Sequence, residues 1–108
     1  MKKTMNMEIR FAEQDDRLVI AFIGDLDNTA TPEAETMLKR VYERDDCDIL
    51  LECIKLNYIS SRGLRLLVAL YKHARNSGHK TFITHMNKNV KEVLEVGGFL
   101  DLYQEIET

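Results

Sequence analysis

The chain has 108 residues and a net charge of −3, with 44% hydrophobic and 31% charged residues. This size and balance are typical of one globular domain and exclude a disordered or fibrous chain. The fifteen Lys and Arg residues are scattered among eighteen Asp and Glu residues, so no basic stripe marks a nucleic-acid-binding surface. We therefore expect a single domain over residues 1–108, with a core of about 7–103, and no direct contact with nucleic acid.

Hydrophobic runs are short throughout the sequence. The longest are Leu18 to Ile23 and Leu66 to Leu70, far below the length that crosses a bilayer. The basic start, Met1 to Met5, is not followed by the hydrophobic core of a signal peptide. The sequence thus predicts no membrane insertion and a cytoplasmic location.

The two cysteines, Cys47 and Cys53, fall in or beside one predicted strand. In extended chain their spacing is roughly 20 Å, well beyond disulfide reach. Neither belongs to a Cys-x-x-Cys pair, so we expect buried thiols rather than metal ligands.

In chain order, the first segment of the sequence, from Met7 to Gly24, predicts a β-hairpin. Apolar residues alternate with charged ones from Met7 to Phe11, which is typical of a half-exposed strand. Asp15-Asp16 predicts a turn, and Arg17 to Ile23 is an apolar run suited to a central strand covered on both faces. Gly24 is expected to end that strand.

The next segment predicts a helix and a strand. Thr31-Pro32-Glu33 supplies an N-cap threonine, a proline at the first helical position and an acid in the first turn. We expect this helix to end at about Arg44. Asp48 to Cys53 predicts the next strand, and Leu56 to Ser60 a short connection.

The second half of the chain predicts a long helix from about Ser61 to Ser77, stopped by Gly78. Lys80 to His85 predicts a strand, and Asn87 or Asn89 caps a third helix. That helix is closed by Gly97-Gly98. The pattern from Leu102 to Ile106 fits either a strand or a helix.

This order predicts an α/β fold, with a mixed sheet of four to five strands, an antiparallel N-terminal hairpin and about three to four flanking helices. The parallel strands would gather three loops at their carboxyl ends: Gly24 to Thr29, Tyr58 to Arg62, and His85 to Asn87. Ligands of open α/β sheets bind at that edge, which makes it the candidate functional surface.

Two serines, Ser60 and Ser61, precede the long helix. A serine at this position can cap the helix, because its hydroxyl accepts from a free backbone N–H. It can equally be a phosphoacceptor, because helix-end amides and the helix dipole favour a phosphate. Local chemistry leaves both interpretations open.

The acids Asp25 and Asp27 flank Leu26 after the second strand. A metal site or an acid–base pair needs a further ligand, and none falls at a suitable spacing. We therefore expect both acids to be exposed recognition residues, with no metal or cofactor bound. His85 is expected to be a polar strand end, and His73 and His79 surface residues. The sequence contains no catalytic motif.

Three stretches together resemble the STAS domain family of bacterial anti-sigma factor antagonists. Ile23 to Asp27 resembles the family's Gly-[Glu/Asp]-Leu-Asp signature. Leu56 to Leu64 resembles its Asp-Ser-[Ser/Thr/Ala]-Gly-Leu segment and the variant Tyr-Ile-Ser-Ser-Ala-Gly-Leu-Arg. Asn89 to Leu100 resembles the last helix and its Gly-Leu/Phe end. The likeness runs from about Met7 to Tyr103.

The resemblance implies a non-enzymatic regulator that binds an anti-sigma factor serine kinase, frees a sigma factor and is switched off by phosphorylation. It implies a monomer or weak dimer, with Ser61 as phosphoacceptor and Ser60 as second choice. Ser60 stands where the family often has an acid, and Arg62 where it has a small residue. The implied partner-binding residues are Asp25, Asp27, Asn28, Thr29, Ser60, Arg62, Gly63 and Arg65.

Three alternatives remain open at this stage. Some STAS domains are accessory subunits of membrane transporter complexes, and others bind nucleotides without being phosphorylated. An alternative from a different class is a small enzyme that uses the loops carrying Asp25, Asp27 and His85.

Overall fold

The computed structural model of the protein describes residues 7–106 and contains, in that range, one five-stranded sheet and three α-helices. The strands are β1 (Met7–Gln14), β2 (Arg17–Leu26), β3 (Asp48–Ile59), β4 (Thr81–Thr84) and β5 (Gln104–Ile106). The helices are α1 (Thr31–Met37), α2 (Ser61–Asn76) and α3 (Lys88–Val96), with 3₁₀ helices at Leu38–Glu43 and Leu100–Leu102.

The strands lie in the order β1-β2-β3-β4-β5. β1 and β2 are antiparallel, and the other neighbours are parallel. The predicted mixed sheet with a hairpin at one edge is therefore confirmed. The hairpin turns at Asp15 and Asp16, whose φ angles are 55° and 62°. Such left-handed pairs match the twist of the flanking strands.

All helices pack on one face of the sheet. Because parallel crossovers are right-handed and the strand order never reverses among the described residues, each crossover returns on the same side. In β2, Leu18, Ile20 and Phe22 are buried, whereas Val19 and Ala21 on the other face are half-exposed. The prediction that β2 is covered on both faces is wrong, because the helices pack on only one face of the sheet.

β3 is longer than predicted, and β2 does not end at Gly24. Two register shifts against β2 place one extra β3 residue each between Ala21 and Ile23 and between Gly24 and Asp25. These bulges change the spacing of buried side chains, so that Leu56 and Ile59 also face the core. The segment predicted as a connection is therefore strand.

The start of α1 also differs from its prediction. Its N-cap is Ala30, without a side-chain cap. Thr31 is buried within the first turn, and its hydroxyl donates to the Asp27 carbonyl at 2.7 Å. Thr31 therefore bonds back to the preceding loop instead of capping the helix.

The limits of α2 and α3 confirm the sequence prediction closely. The chain leaves α2 through Gly78, which has a φ of 80°. Asn87 is the cap of α3, because its Oδ1 accepts from the Val90 N–H at 2.8 Å. The segment after α3, whose sequence fits either a strand or a helix, forms a 3₁₀ helix and then β5.

Both cysteines are free, and Cys53 is fully buried. Burial raises the pKa of the Cys53 thiol to about 12. Cys47 is only half-buried, so the prediction of two buried thiols is correct for Cys53 alone.

The two histidines predicted at the surface are half-buried instead. A ring nitrogen of His73 bonds to the Arg44 carbonyl. Nδ1 of His79 lies 3.1 Å from an Asp48 oxygen, which also accepts from the Lys80 N–H at 3.0 Å. The pKa of Asp48 is lowered mainly by the Lys80 hydrogen bond and then by His79. These contacts fasten the end of α2 and the start of β4 to the rest of the chain.

Candidate functional site at the amino end of α2

The three predicted loops meet at the carboxyl edge of the sheet. The Ser60 N–H donates to the Leu26 carbonyl at 2.9 Å, which joins the start of α2 to the end of β2. Asn87 Nδ2 donates to the carbonyls of Leu56 and Asn57, both at 3.1 Å. The loop before α3 is thereby joined to β3, and the candidate surface is continuous.

The neighbouring serines have different environments. Ser60 is 7% exposed, and its Oγ accepts from the Gly63 N–H at 3.1 Å. Its carbonyl accepts from the Leu64 N–H at 2.8 Å. Ser61 is the first residue of α2 and is exposed. The capping role open to either serine therefore belongs to Ser60, while Ser61 presents its side chain to solvent.

The surroundings of Ser61 favour a negative charge. Ser60 occupies the N–H groups of Gly63 and Leu64, and none of the hydrogen bonds found among residues 7–106 uses the N–H of Ser61 or Arg62. The first turn of α2 contains no acid. Free amides and the positive end of the helix dipole can thus receive a phosphate on the Ser61 hydroxyl.

Gly63 lets α2 approach the end of β2. A Cβ at this position would lie 2.6 Å from the Leu26 carbonyl oxygen and 2.7 Å from Leu26 Cγ. It would also lie 3.1 Å from Ile59 Cγ1. Gly63 is buried, so any contribution to partner binding acts by positioning the first turn of α2.

The two acids are less exposed than predicted. Asp25 is half-buried in β2, in register with Tyr58 of β3. Asp27 is also half-buried, and its Oδ1 accepts from the Ala30 N–H at 2.8 Å. The prediction that both acids are exposed is wrong, because both are half-buried, and the Asp27 carboxylate also bonds within the loop before α1. Asn28 and Thr29 are the exposed residues of that loop.

Arg62 and Arg65 are exposed on α2 and line a groove of about 370 Å³ between α1 and α2. Neither makes an ion pair with another described residue. Glu35 and Tyr42 lie on the opposite wall. Both arginines are therefore available to a partner.

One exposed aromatic residue at this edge, Tyr58, was not among the predicted partner-binding residues. Tyr58 is 44% exposed beside Asp25. The apolar pattern was ambiguous here because the bulges of β3 interrupt the alternation of buried and exposed positions.

His85 follows β4 with a left-handed φ of 59°. Its Nδ1 lies 3.0 Å from Glu52 Oε2, and both side chains are partly buried. Across the described part of the chain, no three His, Cys, Asp or Glu side chains come together as metal ligands.

Replacing each serine in turn by alanine distinguishes the serine that caps α2 from the serine that is exposed. We expect Ser60→Ala to lower the free energy of unfolding by about 1 kcal/mol, because a buried N-cap is lost. Ser61→Ala should change it by less than about 0.5 kcal/mol, as is usual for a surface substitution. Urea unfolding of both variants and the parent measures this. Equal losses for the two serines would contradict the assignment.

The fold is that of a STAS domain. A family model for the STAS domain matches residues 8–108, and the chain belongs to this family. The anti-sigma F factor antagonist of Paenibacillus polymyxa is 22% identical over 99 residues, covering 91% of this chain and 85% of that protein. BtrV of Bordetella bronchiseptica, a candidate anti-sigma factor antagonist, is 25% identical over 97 residues, covering 90% and 84%.

Solved structures show the same fold. An anti-sigma factor antagonist domain from Planctomyces limnophilus superposes with a TM-score of 0.82 at 16% identity, covering 93% of this chain and 90% of that one. The phosphorylated form of the Bacillus cell fate determinant SpoIIAA has a TM-score of 0.71 at 14% identity, covering 94% and 91%. The chain is thus a STAS protein by fold and family, and it is similar to anti-sigma factor antagonists.

Among residues 7–106, none of the helices has the length and apolar character needed to span a membrane.

Proposed function

We propose that this protein is a cytoplasmic regulatory binding module that binds an anti-sigma factor serine kinase and releases a sigma factor. The observation that carries the proposal is the division of roles between the two serines. Ser60 is buried as the cap of α2, and Ser61 is exposed at the positive end of the same helix. Phosphorylation of Ser61 then ends the interaction.

The surface around Ser61 supports this role. Asn28 and Thr29 are exposed in the neighbouring loop, and Arg62 and Arg65 are exposed on α2. The half-buried Asp25 lies beside Tyr58 at the same edge. These residues form a polar docking surface around a hydroxyl, which suits a kinase partner better than catalysis by this chain.

The proposed modification is an ordinary phosphoryl transfer. The kinase moves the γ-phosphoryl group of ATP to Ser61 Oγ, ADP leaves, and the hydroxyl proton passes to the kinase. The product carries about −1.5 to −2 charges at neutral pH. The guanidinium of Arg62, the next residue, is free to pair with part of this charge.

Incubation with the cognate anti-sigma kinase and ATP tests the proposal. Intact mass should increase by one phosphoryl group in the parent and in Ser60→Ala, and remain unchanged in Ser61→Ala. Modification of Ser60 alone would place the acceptor one residue earlier. If neither serine is modified, the switch is absent, and the transporter-subunit and nucleotide-binding alternatives gain support.

A further inference from the structure

An apolar groove runs along α2 from the proposed acceptor. Its volume is about 700 Å³, and it lies between α2 and the segment that follows α3. We name it the α2 groove; its apolar lining is Leu64, Val68, Ala69, Tyr71, Phe99 and Leu102. Ser61 lines one end and Arg75 the other. From Ser61 to Arg75, α2 spans roughly 20 Å.

The same groove has a cationic wall. Arg65, Lys72 and Arg75 line it and are exposed. Arg65 and Lys72 make no ion pair with another side chain of the described residues, and Arg75 lies over the Tyr71 ring at 5.5 Å. α2 has no Asp or Glu, although the chain has eighteen acids. This wall is therefore positively charged, although the chain as a whole carries a net negative charge.

A second apolar groove joins the α2 groove at Ser61 and Leu64. Its α3 lining is Val93 and Val96 together with the polar Asn89 and Glu92, and its volume is about 380 Å³. Val96 is 88% exposed, which is unusual for a large apolar side chain. The apolar surface therefore continues from one groove into the other past the proposed acceptor.

The shape of the α2 groove indicates what it can hold. Its lining comes from α2 on one side and from residues 97–102 on the other, which leaves the groove open to solvent, whereas small-molecule sites enclose most of their ligand. A row of apolar side chains projecting from a helix fits such a groove.

We propose that the α2 groove binds an amphipathic helix of a protein partner, with an apolar face in the groove and acidic residues against Arg65, Lys72 and Arg75. The inference rests on the proposed function, because the kinase that reaches Ser61 is taken as the protein that supplies this helix. A helix in the groove would bring the kinase next to Ser61, since this serine lines the groove's end.

A designed peptide tests the groove without the kinase. The probe is a helix of about 18 residues, long enough to be stable in water, with leucines at helical spacing and glutamates on both flanks. Its matched control replaces every glutamate by lysine. In two-dimensional amide NMR, the acidic peptide should shift signals of α2 and of residues 97–102, and the shifts should weaken at high salt.

Equal effects of the two peptides would overturn the inference. Shifts confined to the exposed sheet face around Val19, Leu50 and Phe82 would overturn it as well. Self-association of the protein that the acidic peptide does not displace would assign the groove to a second copy of the chain instead.

Charge reversal then tests the groove with the kinase. Lys72→Glu should weaken binding roughly three- to tenfold, because an attraction becomes a repulsion at the partner's acids. Lys39→Glu is the matched control, since Lys39 is exposed outside the groove. It should change affinity less than twofold. Thermal unfolding of both variants checks that the fold is retained.

Failure of the groove inference and failure of the proposed function give different experimental results. If the kinase binds and phosphorylates Ser61 but Lys72→Glu equals Lys39→Glu, the groove inference fails and the proposed function stands. If the kinase neither binds nor modifies the parent protein, the proposed function fails. The peptide experiment then decides whether the α2 groove still accepts an acidic helix.

Discussion

Ser61→Asp is expected to bind the anti-sigma kinase roughly 30- to several-thousand-fold more weakly than the parent protein. The new carboxylate would lie in an interface formed around a neutral hydroxyl, where the partner offers no opposite charge. An unpaired charge at an interface costs about 2–5 kcal/mol, which gives this range of affinity. Calorimetric titration with the nucleotide-loaded kinase measures the loss.

Two comparisons make the Ser61→Asp result specific. Ser61→Ala should bind at the parent affinity and remain insensitive to ATP. Gln14→Glu adds the same charge at the exposed end of the hairpin, at the opposite end of the sheet, and should bind normally. Parent-like affinity of Ser61→Asp would falsify the proposed switch.

The loss of affinity should occur without loss of stability. A negative charge in the first turn of a helix is favourable by about 0.3–1 kcal/mol, and α2 has no acid there. Ser61→Asp should therefore unfold at the same temperature as the parent or slightly above it. This readout separates a blocked interface from a damaged fold.

Gly63→Ala is expected to lower the free energy of unfolding by about 2–4 kcal/mol. Alanine is a better helix former by about 1 kcal/mol, but its Cβ would lie 2.6 Å from the Leu26 carbonyl oxygen. That carbonyl also accepts from the Ser60 N–H, so α2 cannot move away without losing a bond. The steric overlap of the alanine Cβ with this carbonyl therefore costs more stability than the better helix propensity of alanine contributes.

Gly97→Ala is the matched control for this effect. Gly97 has an ordinary φ of −75°; its added Cβ would lie 3.0 Å from the Phe99 ring, and the Val93 carbonyl oxygen would be farther away, at 3.3 Å. A side-chain ring can yield where a bonded carbonyl cannot, so we expect a loss of less than about 1 kcal/mol. Urea unfolding compares the two, and a parent-like Gly63→Ala would show that α2 can shift freely.

The order of elements could be predicted from the sequence because it depends on local periodicity. Alternation from Met7 to Phe11 gave β1, and apolar residues at helical spacing gave α2. Gly78 and Asn87 marked helix limits through backbone conformation and capping, which are also local. The alternation of strands and helices then predicted the parallel sheet.

The candidate site was predictable in position but not in detail. Its place followed from the gathering of loops at the carboxyl ends of parallel strands. Which serine caps α2 depends on how closely its first turn approaches Leu26 and Ile59, and these contacts form only in the folded chain.

The sequence by itself determined the STAS class of fold, the order of strands and helices from β1 to α3 and the pair of serines at the start of α2. The tertiary structure decided the bulges that extend β3 to Ile59 and the one-sided packing of the helices. It also decided the α2 groove, which joins α2 to residues about thirty positions later in the chain. Periodicity reports only neighbours along one element, whereas register shifts and grooves arise between elements that are distant in sequence.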